Sequence, residues 1–332
     1  MVSNEISIKV SVIVPIYKVE KFISRCVLSL MNQTLEEVEF IFVNDATPDN
    51  SMRLLKEIIV LYPNRKAQVH LIDHIENCGL PAARNTGLRL ANGEYIFHCD
   101  SDDFLDSDAL EQMYRAAKEN EADIVWTDWY LSFKKNERYM KQPCYATPIE
   151  ALKGMLSGSM KYNVWNKLIK RELYISNEIF FPDGYGMGED MTIIRLFSCA
   201  KKVSYIPKAF YHYVKLNNGA FSQTYSECHL LELKHNAQET LAYLKNKYGN
   251  RLEEEYEFFK LDIKYPFLIT DKWSKYKLWQ IWYPEANRYV SMNRNVSARR
   301  RIIQLLANKR QYWLVFLYYK LVNKFMYGII YR

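Results

Sequence analysis

Phe97-His98-Cys99-Asp100-Ser101-Asp102-Asp103 places three carboxylates within four residues, at the end of a β-like run from Glu94 to Phe97. Clustered Asp side chains are hard oxygen ligands. They suit a divalent ion that keeps some waters and also binds substrate phosphates. The same residues also read as a solvated acidic turn ahead of the next helix, since Asp106 and Asp108 follow at once.

Three further segments carry chemistry. Val43-Asn44-Asp45-Ala46-Thr47-Pro48-Asp49 closes a second apolar run. A carboxylate there can accept a hydrogen bond from the N3–H of uracil, or can simply cap a turn. Glu76 to Gly87 joins a third run to a helix. Gly79 permits a tight loop, Pro81 suits a first helical turn, and Arg84 adds a charged fork beside free helix N–H groups. The structural alternative is an ordinary helix entry with a surface Arg. Gly184-Tyr185-Gly186-Met187-Gly188-Glu189-Asp190 precedes an apolar helix. One acid can deprotonate a hydroxyl nucleophile while the other favours the helix start. His98 and His70 read as packed residues. His212, within Tyr211-His212-Tyr213, is a candidate third metal ligand or diphosphate donor.

The elements that must position these groups follow from periodicity. Val10–Ile16, Val38–Val43, Val69–Ile72, Tyr95–Cys99 and Asp123–Thr127 read as strands. Val19–Met31, Asp49–Leu61, Pro81–Leu90 and Asp108–Glu119 read as helices, with Asp49 as an N-cap. Apolar strands alternating with amphipathic helices imply an α/β fold with a mostly parallel, doubly covered sheet. Ligands then bind beyond the carboxyl ends of the strands, where Asp45 and Asp100–Asp103 fall. The 332 residues, 49% hydrophobic, supply a sizeable core. No 20-residue apolar run is present, so no spanning helix is expected. The N-terminus reads as a strand, not a signal peptide. Six scattered cysteines without C-x-x-C pairing point to a reduced, cytoplasmic protein.

Together the motifs are those a sugar-nucleotide enzyme needs. A cation neutralises a diphosphate leaving group, and a base activates an acceptor hydroxyl on the opposite face of the sugar. One base and no second nucleophile imply a single displacement with inversion. On the ordered set Val10–Tyr17, Asn32-Gln33-Thr34, Val43-Asn44-Asp45, Asn77–Gly87, Gly93-Glu94-Tyr95, Asp100–Asp103, Trp165-Asn166-Lys167-Leu168 and Glu189-Asp190, the chain resembles a family 2 glycosyltransferase with the GT-A fold. The resemblance covers residues 8–225, with a nucleotide-binding half over about 8–110 and an acceptor half over about 111–225. It implies that Pro15 and Tyr17 lie beside the base, that Asp45 binds uracil, and that Arg84 sits near the nucleotide. Asn77, Asp100 and Ser101 join the nucleotide-sugar contacts, and Trp165 and Lys167 lie near the sugar pocket. It implies Asp102 and Asp100 as ligands of Mn²⁺ or Mg²⁺, Asp190 as the catalytic base and Glu189 as its acidic neighbour. The partners implied are a UDP-sugar donor and a glycan acceptor, lipid-linked in bacterial surface polysaccharide synthesis. Two departures stand out: Ala46-Thr47 replaces a common Gly-Ser, and Val214-Lys215 stands where many members carry Arg. A non-catalytic, transferase-like scaffold protein is the alternative reading. A nucleotidyltransferase would want a Gly-rich loop directly after the first strand, where Val19-Glu20-Lys21-Phe22 follows instead.

Residues 226–332 read as helical and basic. After Glu285 there are ten basic residues and no acid, which leaves 35 basic and 38 acidic residues before it, a net −3. Leu314, Leu317, Leu321, Phe325 and Ile329 recur at three- and four-residue spacing, with Trp313, Tyr318, Tyr319 and Tyr327 suited to a water–lipid boundary. With Arg299-Arg300-Arg301 upstream, the expectation is peripheral attachment to the inner leaflet of the cytoplasmic membrane. A helix packed on the catalytic domain is the alternative. No nucleic-acid-binding module accompanies the charge, so no nucleic-acid partner is expected.

Overall fold

Val10–Ile16 (β1) and Val38–Asn44 (β2) are continuous β-branched and aromatic runs, buried over nearly their whole length. Such strands need cover on both faces, and helices supply it. The computed structural model describes residues 7–216 and 226–326. Ile329 and Tyr327 of the expected C-terminal stripe lie outside them.

Helices Ile23–Met31 (α1) and Ser51–Ile59 (α2) follow β1 and β2. Then come Val69–Asp73 (β3), Leu80–Leu90 (α3), Tyr95–His98 (β4), Phe104–Leu105 (β5) and Ala109–Glu119 (α4). The strand order β3-β2-β1-β4 is parallel throughout, so the carboxyl ends of β1, β2 and β4 share one edge. The strand β1 outruns β4: their pairing stops at Ile13 opposite His98. Pro15, which has no N–H to give, therefore stands where that flank of β1 is open. Asp49 grips the start of α2 by accepting from the Ser51 N–H at 3.1 Å, with Asn50 at the cap position itself.

The second half adds Ile124–Ser132 (β6), Glu137–Met140 (β7), Pro148–Ser157 (α5), Lys167–Lys170 (β8), Arg171–Ser176 (α6), Thr192–Cys199 (α7) and Val203–Val214 (β9). The sheet continues β4-β8-β6-β9-β5, with β7 also on β6. Because β8 runs antiparallel to β4, its first residues open on the same edge where β4 ends, and Trp165 and Asn166 arrive there. The strand β6 extends past Thr127 because the register shifts around Asp128. Asp128 is buried and accepts from Tyr139, Tyr205 and the Gln142 N–H at 2.5, 2.7 and 2.6 Å, so the polar break is satisfied inside the sheet.

Among the described residues the α-helices Glu227–Tyr248 (α8), Glu253–Lys264 (α9), Trp273–Ile281 (α10), Ala298–Asn308 (α11) and Tyr312–Tyr318 (α12) follow, and Tyr319–Met326 continues α12 as a π-helix. The main core runs from Val10 to Ile263 and takes in Leu233, Ala237, Leu241 and Leu244 of α8. A smaller core runs from Phe258 to Val315. The helix α8 thus shares the interior of the sheet domain, and only the later helices form a separate packing unit. Among the described residues no helix is long and apolar enough to cross a membrane.

Candidate active site

Asp45 follows the end of β2 and is buried. Its Oδ1 meets the Cys78 N–H at 2.8 Å and His74 Nδ1 at 2.8 Å. Its Oδ2 accepts from the Asn77 side chain at 2.8 Å and the Gly79 N–H at 2.9 Å. Those four contacts match the capacity of a carboxylate. The far nitrogen of His74 is taken by Thr86 Oγ1 at 2.9 Å. Asp45, His74 and Cys78 also offer ligand atoms within 4.8 Å of one another. Asp45 is thus a clasp for the 77–79 loop, and a nucleobase taking its carboxylate must displace one of these donors. Gly79, at φ +89°, makes the reversal that a side chain would resist, and α3 begins directly after it. Tyr17 directly follows β1 and is exposed, with Lys18 Nζ 4.9 Å above its ring.

The helix α3 carries Arg84 from this clasp into the centre of the site. Arg84 is 1% exposed. Its Nη2 donates to Asp100 at 3.0 Å and lies 3.7 Å from Glu189. Burial works against its charge, but Asp100, Glu189 and Asp190 together hold the guanidinium above its ordinary pKa. Its Nε and Nη1 have no protein partner. Of the three acids after β4, Asp103 turns inward and accepts from Tyr211 at 2.8 Å and the Val214 N–H at 2.7 Å. Burial, then the charges of Asp102 and Asp100, push its carboxyl well above the usual range. Ser101 is buried beside it. Asp100 and Asp102 remain partly exposed at the sheet edge as hard oxygen donors, a set that fits a Mg²⁺ or Mn²⁺ ion.

Glu189 and Asp190 stand on a single turn between Gly188, at φ +89°, and α7. Burial, then the Asp190 charge, raises the Glu189 carboxyl to about 8. Burial raises Asp190 to about 6, while Arg84 opposes the rise. Asp190 Oδ1 is buried and has no hydrogen-bond partner. The loop is held from two sides. Asn85 of α3 donates to Phe181 O at 2.9 Å and Asp183 at 2.7 Å. Asn236 of α8 donates to Tyr185 O at 2.9 Å and Met187 O at 3.0 Å, and Glu232 accepts from the Met187 N–H at 2.9 Å. Nothing local in the sequence marks Asn236, which reads as a helix-surface amide.

Two expected site residues are used otherwise. His212 is not placed to join Asp100 and Asp102 as a third metal ligand. Its Nδ1 contacts Glu137 at 2.7 Å, its Nε2 contacts Asp106 at 3.2 Å, and its ring stacks between Phe104 and Tyr130. The cause is strand alternation, which sends 211 and 213 to one face of β9 and 212 to the other. Tyr211 is the residue that reaches the acids: its hydroxyl also accepts from the Asp100 N–H at 3.1 Å. Lys167 has spent all three ammonium donors on Lys161 O, Asn163 O and Asn166 Oδ1, at 2.9, 2.6 and 2.8 Å. Burial lowers it to about 7, with Asp190 opposing. It shapes the 161–166 loop and has no donor left for a sugar. Trp165 caps that loop, stacked on Tyr211 and Tyr213 at 4.5 and 5.3 Å. Lys215 follows β9; burial lowers its ammonium, while the charges of Asp103 and Asp102 resist. His98 is a core residue against Tyr174 and Phe181.

A mostly parallel α/β sheet flanked by helices, with acids gathered at its carboxyl edge, is the GT-A type of fold. The chain belongs to glycosyl transferase family 2, whose profile matches residues 11–190. It is 32% identical to the uncharacterized glycosyltransferase EpsJ of Bacillus subtilis, over 72% of this chain and 70% of that protein. The fold is similar to that of S. aureus TarS 1-349 in complex with UDP-GlcNAc, at TM-score 0.60 and 18% identity, covering 94% of this chain and 91% of that one. Against a longer TarS chain the TM-score is 0.63, and the match spans 55% of that chain. The mannosyltransferase PcManGT of Pyrobaculum calidifontis, in complex with GDP-Man and Mn²⁺, matches at TM-score 0.51 and 16% identity, over 91% of this chain and 87% of that one.

Proposed function

We propose that this enzyme is an inverting transferase that moves a hexose or N-acetylhexosamine from a UDP-sugar to a hydroxyl of a lipid-linked glycan. Its setting is bacterial surface polysaccharide synthesis, at the inner leaflet of the cytoplasmic membrane. EpsJ and TarS are bacterial relatives, and the TarS complex with UDP-GlcNAc supports a UDP-sugar donor.

The observation that carries the reading is Asp190. It is a carboxylate with one buried, unpartnered oxygen, raised to about 6, and it is steadied by Arg84, which also holds Asp100. A general base works best with a pKa just below the working pH. Asp190 takes the proton of the acceptor hydroxyl as that oxygen attacks the anomeric carbon and the bond to the diphosphate breaks. Glu189, raised further, stays protonated near neutral pH and keeps a second negative charge away from the base. Asp102 and Asp100 would hold a Mn²⁺ or Mg²⁺ ion, which would supply positive charge to the diphosphate. Tyr17 flanks the base above Pro15, and Asp45 and Asn77 shape the loop beneath it. Arg84 orders Asp100 and Glu189, and Ser101 joins the nucleotide-sugar contacts. Trp165 walls the sugar pocket, and Lys167 holds the loop that carries it.

The test is UDP release by purified protein across a panel of UDP-sugars. One donor should release UDP with Mn²⁺ and cease with chelator. No release from any donor in the presence of a lipid-linked glycan extract would overturn the reading in favour of a non-catalytic scaffold.

A further inference from the structure

Part of α9 and the helices after it build a second small core, and among the described residues one side of it is left bare. Val315 is fully buried there, which fixes the rotation of α12. The opposite side then presents Trp313, Leu317, Leu321 and Phe325, at 57, 45, 54 and 64% exposure. Their four-residue spacing makes a straight row because the winding changes partway. The segment Tyr312–Tyr318 is α-helical and Tyr319–Met326 is π-helical. Four residues overshoot an α turn and undershoot the wider π turn, so the two drifts oppose each other. Trp273 and Ile302 are further large exposed apolar residues on helices of this unit.

Charge identifies what covers the row. No acidic residue follows Glu285. Arg300 is spent on buried Asp262, and Arg301 on the carbonyls of Asn293 and Val296. Lys320 and Lys324 share the single carboxylate of Asp271, at 3.0 and 3.9 Å. Lys309 and Arg310 stand exposed at the turn into α12. A bare apolar row on a segment where basic residues outnumber acids is complementary to an anionic lipid surface. A second copy of the same face would repel it.

We infer that the row Trp313-Leu317-Leu321-Phe325 is an interfacial docking face that lies in the headgroup boundary of an anionic bilayer. This extends the reading of a lipid-linked acceptor but does not depend on it, since UDP release in solution tests that reading separately.

The experiment is flotation of the full-length chain with phosphatidylglycerol-containing vesicles and with pure phosphatidylcholine vesicles. It is repeated for the exposed-site variant L317E/L321E/F325E, with thermal melting and UDP release as controls. The wild type should partition to anionic vesicles, release at high salt and bind neutral vesicles weakly. The variant should bind about tenfold or more weakly, with its melting and UDP release unchanged. Equal partition of variant and wild type would overturn the inference. So would equal binding to neutral vesicles, or a concentration-dependent dimer of the wild type that the variant abolishes. If the variant melts early, Leu321→Ser with Phe325→Ser serves as the second test, with the same outcomes.

Discussion

Arg84 donates to Asp100 across 3.0 Å from a position only 1% exposed, and the same nitrogen lies 3.7 Å from Glu189. One cationic side chain therefore joins Asp100, a proposed metal ligand, to the acid pair. Removing one partner of a buried ion cluster costs about 3–5 kcal/mol, because the remaining charges stay buried and unpaired. Arg84→Met should lower stability by about that amount in chemical denaturation. It should also shift the acid limb of the activity profile to higher pH, because Arg84 is what holds Asp190 down. An unshifted limb in a folded variant would separate Arg84 from the base.

The acid pair makes stability depend on pH in an unusual sense. Glu189 sits at about 8 in the folded chain, above the ordinary 4.5. A carboxyl raised on folding contributes stability that is full below about 4.5 and lost as pH climbs toward 8. The metal-free protein should therefore weaken over that window. Glu189→Gln cannot ionise, so it should match wild type at pH 5 and exceed it at pH 8 by roughly 1–3 kcal/mol. Parallel curves for the two proteins in thermal melts across pH would contradict the placement of Glu189.

His212 should prove structural. Its two nitrogens bond Glu137 and Asp106, and its ring lies 4.1 Å from that of Phe104. His212→Ala should cost about 1–3 kcal/mol and leave the Mn²⁺ concentration for half-maximal UDP release unchanged. Asp102→Asn should raise that concentration severalfold without comparable loss of stability. A His212 variant with weakened Mn²⁺ dependence would return the residue to the metal.

Asn236 reaches the acid loop from α8 through the carbonyls of Tyr185 and Met187. Asn236→Ala should reduce kcat by about tenfold or more, since small displacements of a catalytic group are costly. KM for the donor should change little, because the residues proposed to bind the nucleotide lie on other elements. An equal rise in KM would mean that α8 supports donor binding instead.

Much of the nucleotide half is legible in the chain because buried parallel strands read as unbroken β-branched runs. Val10–Ile16 has the same bounds in sequence and structure. Legibility fails where polar residues are satisfied inside the sheet. Thr127 and Asp128 end the apolar run, yet β6 continues to Ser132. Residue type also says nothing of facing. Tyr211-His212-Tyr213 names the right segment, but only the register of β9 shows that the tyrosines face Trp165. Lys167 is identifiable as a residue, but the carbonyls that absorb its donors come from loop geometry. Asn236 lies 46 residues beyond Asp190, and only the shared core brings α8 to the acid loop.

The central claim rests on the lone oxygen of Asp190, and Asp190→Asn tests it with almost no change in shape. Donor affinity, read by UDP-sugar titration with Mn²⁺, should stay within about twofold of wild type. Transfer to a glycan acceptor should fall by about 10²–10⁴-fold. Turnover at the wild-type rate in that variant would contradict the account.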